Sequence, residues 1–151
     1  MTTYDVVPHQ GVGPVRLGMT RAESRAAMGL PVQSLGTGQA ARDLYLDATF
    51  QVSFDEAGRV EYIELSHGGP FIARYDSADV FATDADTLVG LIRRQAAYDE
   101  DDPECGYSYI FPALQLSVWR PVMPEDEDED EDDEEGRRFL TIGIGKPGYY
   151  G

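Results

Sequence analysis

Apolar and polar residues alternate strictly along Phe50-Gln51-Val52-Ser53-Phe54, which predicts a strand with one buried and one wet face. A strand over Leu44 to Asp47 precedes it. The turn Asp55-Glu56-Ala57-Gly58 follows, with Gly58 available for a positive φ. A third strand, Arg59 to Leu65, carries Tyr62, Ile63 and Leu65. Its alternation is imperfect, which predicts a bulge, and His67-Gly68-Gly69-Pro70 ends the unit. Upstream, Pro8, Gly11, Gly13 and Pro14 interrupt Val12, Val15 and Leu17, so the segment to Gly18 reads as an extended lead-in. Thr20-Arg21-Ala22-Glu23 is a capping-box pattern opening a helix from Arg21 to Met28. Gly29 suits a left-handed C-terminal turn, Pro31 blocks continuation, and Gln33 to Ala41 reads as a loop.

The second half repeats this order. Beyond a variable stretch, Asp84 is placed to cap a helix from Ala85 to Gln95, with Leu88, Leu91 and Ile92 at helical spacing. Strands are expected at Tyr107 to Phe111, Leu114 to Val118 and Phe139 to Ile144. Phe50-Gln51-Val52-Ser53-Phe54 and Leu114-Gln115-Leu116-Ser117-Val118 share an apolar-Gln-apolar-Ser-apolar pattern 64 residues apart, and the same offset links Thr20 to Asp84 and Tyr45 to Tyr109. The expectation is one α+β domain of two tandem helix-plus-three-strand units, about residues 12–66 and 76–145. They would form an antiparallel sheet with helices on one face. The predicted core is Leu17, Met28, Leu46, Phe50, Val52, Phe54, Ile63, Leu88, Leu91, Ile92, Ile110, Leu114, Leu116, Val118, Phe139 and Ile142.

Charge changes this picture at one place. The chain of 151 residues has a formal net charge of -16, from 28 acidic and 12 basic residues. Eleven of those acids are consecutive: Glu125, Asp126, Glu127, Asp128, Glu129, Asp130, Glu131, Asp132, Asp133, Glu134 and Glu135. Without them the balance is 12 basic against 17 acidic, that of an ordinary domain. By the repeat, the run is an insertion at about residues 121–136 into a hairpin tip. Such charge argues against binding nucleic acid or an anionic membrane. Three readings of the run are open: a self-repelling solvated loop, a docking element for a cationic cleft, or loose calcium binding without EF-hand glycine spacing.

Catalytic chemistry finds little support. Gly143-Ile144-Gly145-Lys146-Pro147-Gly148 matches G-x-G-x-x-G, but Pro147 stands where the motif needs a helix. His9 and His67 lack metal-ligand spacing, and Cys105 is the single cysteine, so neither zinc nor an internal disulfide is expected. Carboxylates around Cys105 should suppress its thiolate. Ser66 and His67 are adjacent, which in a strand sends them to opposite faces. No enzyme, cofactor or metal is expected. Met1 to Asp5 lacks the pattern of a signal peptide and no apolar run is long enough to cross a bilayer, so a cytoplasmic protein is the default expectation. The aromatics Tyr107, Tyr109, Trp119, Tyr149 and Tyr150 are candidates for an exposed sheet face. Trp119 adjoins Arg120 just before the acidic run, the composition of an interface anchor.

Gly13-Pro14-Val15-Arg16-Leu17-Gly18-Met19-Thr20-Arg21-Ala22-Glu23, with Met28-Gly29-Leu30-Pro31, resembles the openings of small helix-plus-sheet domains of the outer-membrane assembly lipoprotein family (SmpA/BamE type) and of the β-lactamase inhibitor protein type. With Val52 to Glu64 and the Gly148-Tyr149-Tyr150 ending, it is also similar to small actinobacterial proteins, some thought to be immunity partners of toxins. The resemblance implies helix-plus-sheet units whose sheet face binds proteins. The chain has no lipid-attachment cysteine pattern, so the membrane role does not carry over. The expected function is a non-catalytic protein-binding module, an immunity-type inhibitor of a basic toxin or enzyme. It would use Tyr107, Tyr109, Trp119, Arg120, Glu125 to Glu135, Tyr149 and Tyr150. The alternative is a small-ligand or divalent-cation-binding domain.

Overall fold

The alternation of Phe50 to Phe54 is realised residue by residue. Phe50, Val52 and Phe54 are buried, while Gln51 and Ser53 are half-exposed. The computed structural model describes residues 1–36, 41–122 and 136–150. In chain order the described elements are β1 (Thr2–Val7), β2 (Gly11–Val12), β3 (Val15–Arg16), α1 (Arg21–Met28), β4 (Gln33–Leu35), β5 (Arg42–Tyr45), β6 (Phe50–Phe54), β7 (Val60–Ser66), β8 (Phe71–Tyr75), β9 (Ala78–Asp79), α2 (Ala85–Arg93), β10 (Ser108–Phe111), β11 (Leu116–Trp119) and β12 (Thr141–Gly145).

The strands form two sheets. One has five strands in the order β3-β2-β1-β8-β9, and the other has seven in the order β10-β11-β12-β7-β6-β5-β4. The seven-stranded sheet is antiparallel throughout. In the smaller sheet β1 and β8 run parallel. The register of the large sheet lines up two apolar rows on its inner face. Val52, Ile63, Ile144, Leu116 and Phe111 form one row; Phe50, Leu65, Ile142, Val118 and Tyr109 form the other. All are buried except Tyr109, which is half-buried. Tyr4 of β1 packs edge-on against Phe50 at 5.2 Å between ring centroids, so both sheets share one core. Leu88 and Ile92 of α2 and Met28 of α1 join that core.

The helix ends follow from local chemistry. Thr20 Oγ1 accepts from the Glu23 amide at 3.2 Å, and Glu23 Oε1 accepts from the Thr20 amide at 3.0 Å, a complete capping box. Gly29 turns left-handed at φ 62° and donates to the Arg25 carbonyl, closing α1 before Pro31. Asp84 precedes α2 but makes no side-chain cap bond. The bulge lies where β7 inserts one residue, since Ser53 pairs with Tyr62 and Phe54 with Val60.

The α+β expectation is overturned. The molecule is mostly β, with two sheets and two short helices, and is not a pair of helix-plus-three-strand units on one sheet. Three observations account for the error. First, β1 and β8 lie outside the expected units and pair with each other across nearly seventy residues, a contact without a local signature. Second, the expected lead-in and loop contain β1, β2, β3 and β4. Third, the matched glutamines differ in conformation. Gln51 lies within β6, whereas Gln115 sits in the β10–β11 turn with φ 50°, and β11 starts only at Leu116. The strand expected to reach Asp47 ends at Tyr45, because Leu46, Asp47 and Ala48 all adopt positive φ. Of the expected core, Leu17, Leu46 and Leu114 are only partly buried against it, and Leu91 and Ile110 are half-buried.

One carboxylate sits inside. Asp43 lies opposite Val52, at the end of an apolar inner row, and is 0% exposed. Arg21 Nη2 and Nε donate to its Oδ1 at 2.7 and 3.0 Å, and Arg25 Nε donates to Oδ2 at 2.8 Å. Arg25 also donates to Ser34 Oγ at 2.6 Å, tying β4 into the knot. Burial alone would raise the Asp43 pKa, but the bonds and charges of Arg25 and Arg21 outweigh it and the pKa falls.

Because that folded pKa is depressed, the pair's stabilisation is present above the ordinary aspartate value of 3.8 and is lost as pH falls through the lowered value. Denaturant melts of D43N should therefore lack a component of the acid destabilisation that the parent shows below that value. Replacing both Arg21 and Arg25 by Ala strands the buried carboxylate and should cost about 3–5 kcal/mol at neutral pH. D43A should cost less, because the arginine side chains are 30% and 38% exposed and water can solvate them.

Candidate binding face

The register that buries one face of the large sheet leaves the other facing outward. Gln51, Glu64, Gly143, Ser117 and Ile110 form one outward row. Ser53, Tyr62 and Gly145 form a second, and Ser66, Thr141, Trp119 and Ser108 a third. Two outward positions of the central strand β12 are glycines. A Cβ on Gly143 would collide with the Tyr62 hydroxyl, and one on Gly145 would stand 2.6 Å from Tyr149 Cβ. The glycines make a bare strip, and aromatic rings lie over it.

The chain end folds back onto this strip. Tyr149 stacks on Tyr62 with centroids 4.7 Å apart and planes within 10°. Tyr150 packs edge-on to both rings. Its amide donates to Gln115 Oε1 at 2.7 Å, and its hydroxyl donates to Tyr62 Oη at 3.2 Å. Ser117 Oγ lies 2.6 Å from the Tyr150 hydroxyl and 3.4 Å from that of Tyr62, closing a ring of three hydroxyls. Burial, then the neighbouring phenol and Glu64, push the Tyr62 pKa up, so its hydroxyl holds its proton.

Beside the ring sits Glu64, whose carboxylate makes no hydrogen bond or ion pair with any described residue. Gln51, opposite it in the register, is committed elsewhere. Gln51 Nε2 donates to the Ala48 carbonyl at 3.1 Å, while Gln51 Oε1 accepts from Arg42 at 3.3 Å. Burial raises the Glu64 pKa, only partly offset by the Arg42 charge.

The expected site residues divide. Trp119 is 39% exposed on the outer face, Tyr149 is 40% exposed on the same face, and Tyr107 is 46% exposed just before edge strand β10. Tyr150 is half-buried in the hydroxyl ring. Tyr109 does not belong to the exposed face. Alternation turns it inward opposite Val118, where it meets Tyr98 and Phe139 edge-on at 4.9 and 5.8 Å. Arg120 is 3% exposed and acts as a clamp. Its Nε donates to the Gly106 carbonyl at 2.8 Å, its Nη1 donates to that of Gly136 at 2.7 Å, and its guanidinium lies over Phe139. Glu125 to Glu135, and hence the expected hairpin tip, lie outside the described residues. The connection leaves the sheet after Trp119 and rejoins it at Thr141, which pairs with Trp119.

Sequence reading missed Tyr62, Glu64 and the glycine strip. Their signal was available: Tyr62 and Glu64 alternate with Ile63 and Leu65, and Gly143 and Gly145 alternate with Ile142 and Ile144. The other candidate chemistry stays apart. Burial first, then Asp102, Glu100 and Asp99, raises the Cys105 pKa. His9 Nε2 lies 2.8 Å from the Ala113 carbonyl, and His67 packs edge-on to Phe81. Among the described residues no three His, Cys, Asp or Glu side chains are grouped to hold a metal ion. No described helix is long and apolar enough to cross a membrane.

The chain matches no family model, no curated protein and no solved structure. The reading of the site therefore rests on its geometry.

Because the folded pKa of Glu64 is raised, its carboxyl favours the folded state most when protonated, below the ordinary value of 4.5, and that contribution is lost as pH rises through the raised value. E64Q, which removes the desolvated charge, should raise the melting temperature by a few degrees at pH 7. The gain over the parent should vanish in acid. A neutral-pH melt of E64Q at or below the parent would contradict this account of the residue.

Proposed function

We propose that the chain is a non-catalytic protein-binding module that engages a basic protein through the outer face of its seven-stranded sheet. An immunity-type inhibitor of a basic toxin or enzyme is the specific form of this reading. The observation that carries it is the placement of Trp119. It stands exposed on a sheet face that also carries Tyr149, one residue from the clamp through which the chain enters its eleven-carboxylate segment. Exposed Trp and Tyr on a rigid sheet lose little conformational freedom on binding and dominate interface energetics. A dense block of negative charge close to Trp119 in the chain would accelerate encounter with a cationic surface and leave the short-range fit to the aromatics.

The two contributions separate kinetically. With the partner captured from the source cells and then purified, W119A should raise the dissociation rate at least about tenfold while leaving association nearly unchanged. A neutral Gly/Ser replacement of residues 125–135 should do the reverse, slowing association and flattening its dependence on salt. Unchanged kinetics in W119A, Y107A and Y149A together would remove the outer face from the interface. An unchanged salt slope in the loop replacement would remove the steering role.

A further inference from the structure

Gln115 is a buried polar residue in the β10–β11 turn, 4% exposed, with its backbone left-handed at φ 50°. A residue with a side chain keeps that conformation where its surroundings fix it from several directions. Its amide and its Nε2 both donate to the Pro112 carbonyl, at 3.2 and 2.7 Å, and its own carbonyl accepts from the Gly145 amide at 2.8 Å. These bonds close the turn and tie it to β12. One further bond does neither. Gln115 Oε1 accepts from the Tyr150 amide at 2.7 Å, 35 residues along the chain.

That bond fastens a strap. Gly148 is left-handed at φ 83°, and beyond it Tyr149 lies over Gly145 and stacks on Tyr62. The Tyr149 amide donates to the Lys146 carbonyl, within the strap's own turn. Among the described residues, every hydrogen bond from Gly148–Tyr150 to the sheet and its turns runs through Tyr150: its amide to Gln115, its hydroxyl to Ser117 and Tyr62. Neither Tyr149 nor Tyr150 belongs to the buried core. The strap is therefore held at the surface by few contacts, and the orientation of the Tyr149 ring depends on them. An aromatic ring already fixed in place gives up little conformational freedom when a partner covers it.

We propose that Gln115 is a positioning residue for the outer face: by holding the Tyr150 amide it fixes the strap and presents the exposed Tyr149 ring to the partner in one orientation. This inference rests on the reading of the outer face as an interface and names what orders one of its anchors. Gly145 has the complementary part, since only a residue without Cβ leaves room for Tyr149 above it.

Two variants of the full chain release the strap from opposite sides. Q115G removes the side chain where the backbone suits glycine, and it keeps the carbonyl that accepts from Gly145. G145A leaves Gln115 whole and pushes on Tyr149 from beneath. In both, proton NMR should lose the Overhauser contacts between the Tyr62 and Tyr149 rings. Exchange of the Tyr150 amide should quicken at least about tenfold while the β11 amides keep their protection. Rings that stay stacked in Q115G overturn Gln115 as the anchor, and rings that stay stacked in G145A overturn the seat over Gly145. Loss of protection throughout β11 in Q115G makes Gln115 a folding residue and overturns its positioning role. Against the purified partner, both variants should dissociate about threefold to tenfold faster, with no further change when Q115G is combined with Y149A. A parent-like dissociation rate in Q115G with the strap released overturns the presentation of Tyr149. W119A separates this failure from that of the wider reading. If W119A weakens binding and Q115G does not, the face stands and the strap plays no part in it; if W119A also binds like the parent, the face itself is not the interface.

Discussion

Strand alternation is the constraint on which the rest of the molecule depends. A one-residue slip of β7 or β12 would send Ile63, Leu65, Ile142 and Ile144 into solvent together, so burial of the inner rows fixes the register strongly. Fixing the inner face fixes the outer one. Tyr62, Glu64, Ser117, Trp119 and the two glycines of β12 are placed by the apolar residues beside them in the chain. The outward constellation is thus held on paired central strands and not on loops, with a precision that loops rarely give.

The same sheet carries a buried carboxylate, Asp43, and a half-buried one, Glu64, whose pKa values shift in opposite directions. At both Asp43 and Glu64, burial alone favours the neutral acid. At Asp43, Arg21 and Arg25 reverse the balance, and the charged knot fastens α1 and β4 to the edge of the sheet. At Glu64 only the more distant charge of Arg42 opposes burial, and the balance is not reversed. The difference is one of hydrogen-bond supply. Asp43 has its donors within the chain, whereas the half-buried Glu64 keeps part of its surface in solvent.

Legibility from sequence tracked the range of the interaction. The capping box of α1, the turn at Asp55 to Gly58 and the strand Phe50 to Phe54 are written within a few residues and were read correctly. Phe71, Ala73 and Tyr75 alternate just as well, yet the strand they form draws its meaning from β1, far away in sequence. The apparent 64-residue repeat misled because side-chain pattern was taken for backbone conformation. Gln115 resembles Gln51 in its neighbours, but its positive φ makes it a turn residue whose amide group bonds Pro112 and Tyr150. Among the expected site residues, Trp119 and Tyr149 are exposed on the outer face, as their aromatic character beside strand positions suggests. Glu64 carries no distinctive signal in a chain with 28 acidic residues.

The acidity of the chain is concentrated in one stretch of sequence. The run from Glu125 to Glu135 supplies most of the net charge, and charge of that kind acts at long range, is screened by salt and discriminates poorly among cationic surfaces. By donating to the Gly106 and Gly136 carbonyls, Arg120 ties the chain before the acidic run to the chain after it, one residue from Trp119.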